Sequence, residues 1–199
     1  MSTSVIANDH GNSPIGEDTD PAQRLHTIVA VHDAALNFQQ RNSSIKTSRS
    51  PLVIKPDDLP FNLVHGTLAG DETIVDPYVF TDDDAGSLLA FYHLGRRLAG
   101  HAEIVHGGIA AVLLDECMGR ACFPRLPGKI GVTARLELDY KNPIPVNSVI
   151  LIQADTKEVQ GRKAWVEATM SSADNGQDLV KAKALFIQPK WAADMTEVL

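Results

Sequence analysis

Apolar and polar positions follow two rhythms along this chain. From residue 21, Leu25, Ile28, Val29 and Leu36 fall near one stripe at helical spacing, with Asp20 suited to cap the first turn and Pro21 to open it. A helix over 21–40 is predicted, closed by Asn42, Ser43 and Ser44. Pro51, Pro56 and Pro60 then mark a linker, since proline lacks the backbone donor that regular structure needs. Past residue 60 the rhythm turns mainly to period two, with short strands expected near 72–80 and 86–94. The clearest strand is VTARLELDY, where Val132, Ala134, Leu136, Leu138 and Tyr140 alternate with Thr133, Arg135, Glu137 and Asp139. That alternation predicts one buried face and one polar or functional face. Residues 149–156, 163–172 and 179–188 continue as strands, separated by Gln160-Gly161-Arg162 and Asp174-Asn175-Gly176, both suited to antiparallel hairpins. A β-meander is the economical topology.

One segment breaks the period-two pattern. Residues 107–123, GGIAAVLLDECMGRACF, are apolar all round and carry almost no β-branched residues in the middle, which predicts a helix buried on most of its surface. A buried helix wrapped by a single antiparallel sheet, preceded by an extra N-terminal helix, is an α+β arrangement. Residues 1–18 are rich in Ser, Asn, Gly and Asp without apolar periodicity and read as a disordered tail. The chain therefore divides into that tail, an N-terminal helix and linker over 19–60, a main domain over 61–190 and a short tail over 191–199.

Composition narrows the function classes. Among 199 residues, 18 Lys and Arg stand against 25 Asp and Glu, a formal charge of −7 that disfavours nucleic acid and anionic membranes. No apolar run exceeds the six residues Ile109 to Leu114, far short of the roughly 20 a membrane-spanning helix needs. Two cysteines, Cys117 and Cys122, are too few for a disulfide framework and too close for the usual metal-ligand spacing, so they read as inert core residues in a reducing compartment. The first 23 residues hold Asp9, Glu17, Asp18 and Asp20 and no Lys or Arg, so no targeting segment is read there. A cytoplasmic location is the expectation, with the mitochondrion left open.

The candidate chemistry lies in IVHGGIAAVLLDECMGRA. His106, Gly107 and Gly108 stand where the chain enters the buried helix, so the unpaired N–H groups of its first turn lie beside two residues without a Cβ. Asp115 follows Gly108 by seven residues, two turns on, which puts it on the face of Gly108, Val112 and Gly119. A carboxylate on an otherwise apolar helix is costly unless paired or functional. Donors that polarise a carbonyl, beside a carboxylate that takes a proton from water, suit hydrolysis of an activated acyl group. Plainer roles stand beside these. Asp115 could be a core carboxylate, His106 is a rival base, and the two glycines serve close packing as well. Glu116 is placed to pair with Arg120 four residues on. Thr133 shares strand parity with Arg135 and Glu137 and reads equally as a surface residue, Tyr92 and His93 suit core packing or a pocket wall, and His65 in LVHGT is assigned no chemistry.

VHGGIAAVLLDE followed by VTARLELDYKNPIP resembles the acyl-CoA thioesterases of hotdog fold, in the PaaI-like and 4-hydroxybenzoyl-CoA thioesterase-like branch. His106, Gly107, Gly108, Asp115, Tyr140 and Pro143 occupy the motif positions, and the resemblance covers residues 61–190. It implies a hotdog fold and a homodimer, with a tetramer left open, whose two sites lie between subunits. It further implies that the Gly108 N–H polarises the thioester carbonyl, that Asp115 is general base or nucleophile, that Thr133 supplies an orienting hydroxyl, and that His106 shapes the site. Acyl-CoA is the implied substrate, with no metal and no separate cofactor. Gly107 is expected at the substrate, and Lys141, Arg162, Lys163 and Arg135 are candidates for the CoA phosphates by charge alone. A non-catalytic acyl-CoA binding protein and a hydroxyacyl-thioester dehydratase are the competing functions.

Overall fold

The computed structural model describes residues 20–41 and 44–192; the expected tail at 1–18, the helix-closing Asn42 and Ser43, and most of the expected tail at 191–199 lie outside the described residues. Two short helices open the chain, α1 (Pro21–Val31) and α2 (Asp33–Gln39). Asp20 caps α1 by accepting from the Ala22 N–H at 3.4 Å. A single helix over 21–40 is therefore not what forms. His32 takes an extended ψ of 123° and its Nδ1 accepts from the Ala34 N–H at 3.1 Å, ending one helix while capping the next. The break rotates the stripe: Leu25, Val29, Ala35 and Phe38 are buried, and the expected Leu36 is left exposed.

The stretch read as a linker contributes a strand, β1 (Lys46–Ser48), before a one-turn helix at Leu59–Phe61 and a π-turn at Leu63–Thr67. Strands β2 (Tyr78–Asp82) and β3 (Ser87–Leu94) follow, then a small hairpin of β4 (Ala99–His101) and β5 (Ile104–Val105). Helix α3 (Gly107–Cys122) comes next, and the chain finishes with β6 (Val132–Tyr140), β7 (Ser148–Gln160), β8 (Lys163–Ser172) and β9 (Asp178–Ile187). Gly161 and Gly176 hold the two hairpin turns at positive φ, +56° and +72°, as their turn sequences predict.

Seven strands form one antiparallel sheet in the order β1-β2-β3-β7-β8-β9-β6. The order corrects the meander: only β1-β2-β3 and β7-β8-β9 run consecutively, because α3 carries the chain across the sheet and delivers β6 to the far edge. The inner face packs on α3, whose Ala110, Leu113, Leu114, Cys117 and Met118 join Leu88, Tyr92, Ile150, Ile152, Val166 and Phe186 in the main core. Each fully buried large side chain stabilises the fold by about 1.5–3 kcal/mol. A second core lies on the opposite face, where Leu25, Val29 and Phe38 of the N-terminal helices cover Phe80, Leu89, Phe91 and Leu151. Every residue of β3 is consequently buried. Tyr92 points to α3, whereas His93 shares the face of Leu89 and Phe91, and burial together with the Arg24 charge pushes its imidazole pKa down.

The expected buried face of β6 does not form. As the edge strand it leaves Val132 and Tyr140 exposed and only Leu136 and Leu138 half-buried. Its alternation is also interrupted. Thr133 pairs with Phe186 and Arg135 with Leu185, so Ala134 is an extra residue, a β-bulge. Beyond it Leu136, Leu138 and Tyr140 pair with the inward Ala184, Ala182 and Val180. Before it Thr133 pairs with the inward Phe186, so the bulge turns Thr133 onto the inner face despite its sequence parity with Arg135 and Glu137.

Candidate active site

Helix α3 sets the site. Its N-cap is His106, whose Nδ1 accepts from the Gly108 N–H at 2.9 Å. The imidazole thus closes one of the open donors of the first turn, and it holds the very N–H expected to meet a thioester carbonyl. Tyr140, arriving on the edge strand, donates its hydroxyl to the Gly107 carbonyl at 2.8 Å and ties the helix entry to β6. A Cβ on Gly107 would meet the Tyr140 ring at 3.3 Å, and the tightness of that packing explains a glycine there.

A cavity of roughly 540 Å³ opens at this end of the helix, lined by Gly100, His101, His106, Gly107, Tyr140 and Lys141 among others. Gly107 lines it and Gly108 does not. Lys141 reaches the cavity wall while its Nζ is hydrogen-bonded to the Asp139 carboxylate. Arg162 does not line it; at the β7–β8 turn it donates to the Gln188 carbonyl at 2.7 Å. Arg135 pairs with Glu137 on the exposed edge strand, and Lys163 opens β8 in an exposed position.

Further along α3, Asp115 is half-buried and accepts a 2.7 Å hydrogen bond from the Thr133 hydroxyl at Oδ1. The bulge at Ala134 makes this contact possible, because it aims Thr133 inward. Burial is the largest influence on Asp115 and pushes its pKa up, the Thr133 hydrogen bond pulls it back, and the neighbouring Glu116 charge raises it further. The net effect is a carboxylate held above its ordinary value, in the direction that suits a base working near neutrality.

Two sequence readings change around it. Glu116 does not pair with Arg120: the Arg120 guanidinium is buried and meets Asp83 at 2.8 Å and Thr81 at 3.3 Å, while Glu116 faces His65 at 3.7 Å. His65, given no chemistry, thus stands one residue from Asp115. No local spacing could reveal that, since the contact joins a π-turn to a helix fifty-one positions later. Cys117 and Cys122 are buried and free, and burial pushes both thiols up to about 12, which keeps them protonated and unreactive as expected.

Residues 102–178 match the Thioesterase superfamily, a span running from the turn before α3 through β8. An uncharacterized mitochondrial protein of Candida albicans is 37% identical over 143 residues, covering 68% of this chain and 64% of its own length. The acyl-coenzyme A thioesterase THEM4 of Rattus norvegicus is 35% identical over 101 residues, 51% of this chain and 43% of its own. The chain thus spans less than two thirds of the length of either relative. Among solved structures, a phenylacetic acid degradation-related protein from Ralstonia eutropha superposes with a TM-score of 0.52 at 23% identity, over 63% of this chain and 89% of that one, and supports the fold. Taken with the buried α3 and the large antiparallel sheet, the structural likeness shows a hotdog fold, and the match to the Thioesterase superfamily is confined to residues 102–178.

Proposed function

We propose that the chain hydrolyses an acyl-CoA thioester to free CoA and a carboxylic acid, with Asp115 as the general base. The observation that carries this reading is the 2.7 Å hydrogen bond from Thr133 to Asp115 Oδ1. It fixes one carboxylate oxygen and leaves the other to take a proton from a water as that water attacks the thioester carbon. The negative charge that develops on the carbonyl oxygen needs donors already in place. The helix N-terminus supplies them: Gly107 lines the cavity, and the Gly108 N–H becomes available if the His106 imidazole yields it. His106 acts here as the cap that shapes the entry. The thiolate of CoA then leaves as the carbonyl re-forms. Lys141 lines the cavity, which supports it as the partner for CoA phosphate once its Nζ leaves Asp139.

Helix geometry argues that one copy alone does not complete the site. A rise of 1.5 Å per residue separates Gly107 from Asp115 by about 12 Å, whereas reacting groups must converge within about 3.5 Å of one carbon. We propose that two copies pair so that the helix entry of one faces Asp115 of the other. Support comes from the outer edge of β6, unpaired among the described residues, from the half-exposed stripe of α3 at Val112 and Asp115, and from exposed Leu59, Phe61 and Leu63 in the segment before β2. Because the Candida albicans relative is a mitochondrial protein, we extend that compartment to this chain; localisation of a tagged full-length chain checks it.

The test is thiol release from short, medium, long-chain and aryl acyl-CoAs, comparing wild type with Asp115→Asn. The expected outcome is turnover of at least one class by wild type and a loss of about 100-fold or more in kcat/KM in the variant, with CoA ester binding retained. Binding without turnover in the wild type would replace this reading with that of an acyl-CoA binding protein.

A further inference from the structure

Glu116 stands beside the proposed base, yet the mechanism gives it no task. Its Oε2 is buried and accepts no hydrogen bond, a costly state for a carboxylate. The cation one turn along α3 does not relieve it, because Arg120 is taken up by Asp83. The groups that face Glu116 are Asp115 and Cys117 on its own helix, Tyr92 from β3, and His65 from the π-turn at Leu63–Thr67.

The tautomer of His65 can be read from its partners. The Ser50 hydroxyl donates its only hydrogen to the Leu52 carbonyl at 2.7 Å, so toward His65 Nε2, 3.2 Å away, it offers a lone pair. His65 Nε2 therefore carries a hydrogen, and that same nitrogen lies 3.7 Å from Glu116 Oε2. The His65 side chain is 9% exposed and that of Glu116 is 16% exposed, so solvent screens the pair weakly. The His65 turn is itself held rigidly: Asn62 Oδ1 accepts from the N–H groups of Val64 and His65, and Gly66 packs so closely on the Leu59 carbonyl that a Cβ there would come within 2.1 Å.

We propose that His65 is a positioning residue of the active site, which anchors the segment 50–68 on α3 through Glu116 and offsets the negative charge that Asp115 faces. This inference rests on Asp115 being the base proposed above. When His65 carries its second proton, the positive charge lies 3.7 Å from Glu116 Oε2 and opposes it. Removing Glu116 takes a like charge away from Asp115, and removing His65 leaves Glu116 uncompensated. The two substitutions must therefore move Asp115 in opposite directions, which a general loosening of the fold would not do.

The experiment is a carbon-13 NMR titration of the Asp115 carboxyl in the full chain, for wild type, Glu116→Gln, His65→Gln and His65→Lys, alongside the pH profile of acyl-CoA hydrolysis for each. The expected result is an Asp115 midpoint lowered by several tenths of a pH unit in Glu116→Gln, raised by a similar amount in His65→Gln, and returned to the wild-type value or below by His65→Lys. The acid limb of kcat/KM should follow the midpoints. Should His65→Gln fail to fold, His65→Lys decides in its place: an Asp115 midpoint at or below the wild-type value upholds the charge role of His65, and a raised midpoint overturns it. An unmoved midpoint, or shifts of one sign in both variants, would overturn the proposal. Midpoints that move as expected beneath an unchanged acid limb would uphold the coupling while removing Asp115 from its role as base.

Discussion

At the scale of single residues, Asp115 illustrates how a group suited to chemistry can cost the fold stability. Burial and the Glu116 charge raise its pKa in the folded chain, so the folded state holds that proton more tightly than the unfolded chain does. Stability is then lost as pH rises from the ordinary carboxylate value of 3.8 through the raised one. Asparagine removes the charge and still accepts the Thr133 hydroxyl. Asp115→Asn should therefore melt at a higher temperature than wild type at pH 7, and the difference should shrink as pH falls below the carboxylate range. Thermal melts across pH check this, and a lower Tm at neutral pH would contradict it.

At the scale of elements, the bulge in β6 decides which side chain meets the helix. Sequence parity groups Thr133 with Arg135 and Glu137 on the outer face, whereas the extra residue at Ala134 turns it inward to Asp115. Deleting Ala134 should restore regular pairing and either turn the Thr133 hydroxyl away or slip Val132 and Thr133 by one position. Because β6 is an edge strand, the expected outcome is a folded protein that has lost about 100-fold or more in thioester hydrolysis. Circular dichroism with turnover measurements separates this from unfolding. The N-terminal helices pose a different element-scale question, since they bury Phe80, Leu89, Phe91 and Leu151 on the face of the sheet away from α3. Removing residues 1–41 should bare that apolar face, lower Tm and promote association, which melting and light scattering would reveal. Unchanged stability would show the helices to be dispensable.

At the scale of the whole molecule, one copy holds only half of the proposed chemistry at each place. The helix entry with its cavity and the Asp115–Thr133 pair lie on one helix but too far apart along its axis to share one carbonyl. The sheet meanwhile ends in an edge strand whose Tyr140 is 51% exposed although its hydroxyl braces the helix entry. In the proposed dimer, a second copy on that edge supplies the other half. Specific activity should therefore fall in step with the dimer fraction as the protein is diluted, as followed by activity assays beside light scattering. Full specific activity from a demonstrated monomer would rule out the shared site. The outer face cannot serve equally in larger assemblies, because α1 and α2 already cover its β2–β3–β7 portion.

Much of this architecture was legible in local pattern. The all-apolar run of α3, the turn glycines at 161 and 176, and the period of β7, β8 and β9 follow from interactions within a few residues, and local physical chemistry suffices to read them. The pairing of a helix entry with a carboxylate two turns on was legible for the same reason, since helical spacing alone places both. Other features depended on partners distant in the chain. The helix break at His32 lets both α1 and α2 lie on one sheet, and β1 forms in a proline-rich stretch because β2 offers it an open edge. Strand β3 lost its alternation because both of its faces are covered. Arg120 pairs with Asp83 and Glu116 faces His65 although sequence spacing favoured a bond between them, and Thr133 reaches Asp115 through one unpaired residue. The sequence by itself determined the buried helix α3, the hairpin turns at Gly161 and Gly176 and the chemical groups, because these arise from neighbours along the chain. Tertiary structure alone decided which charges compensate one another and which face each strand turns to the helix, because burial and register are set only when distant segments pack.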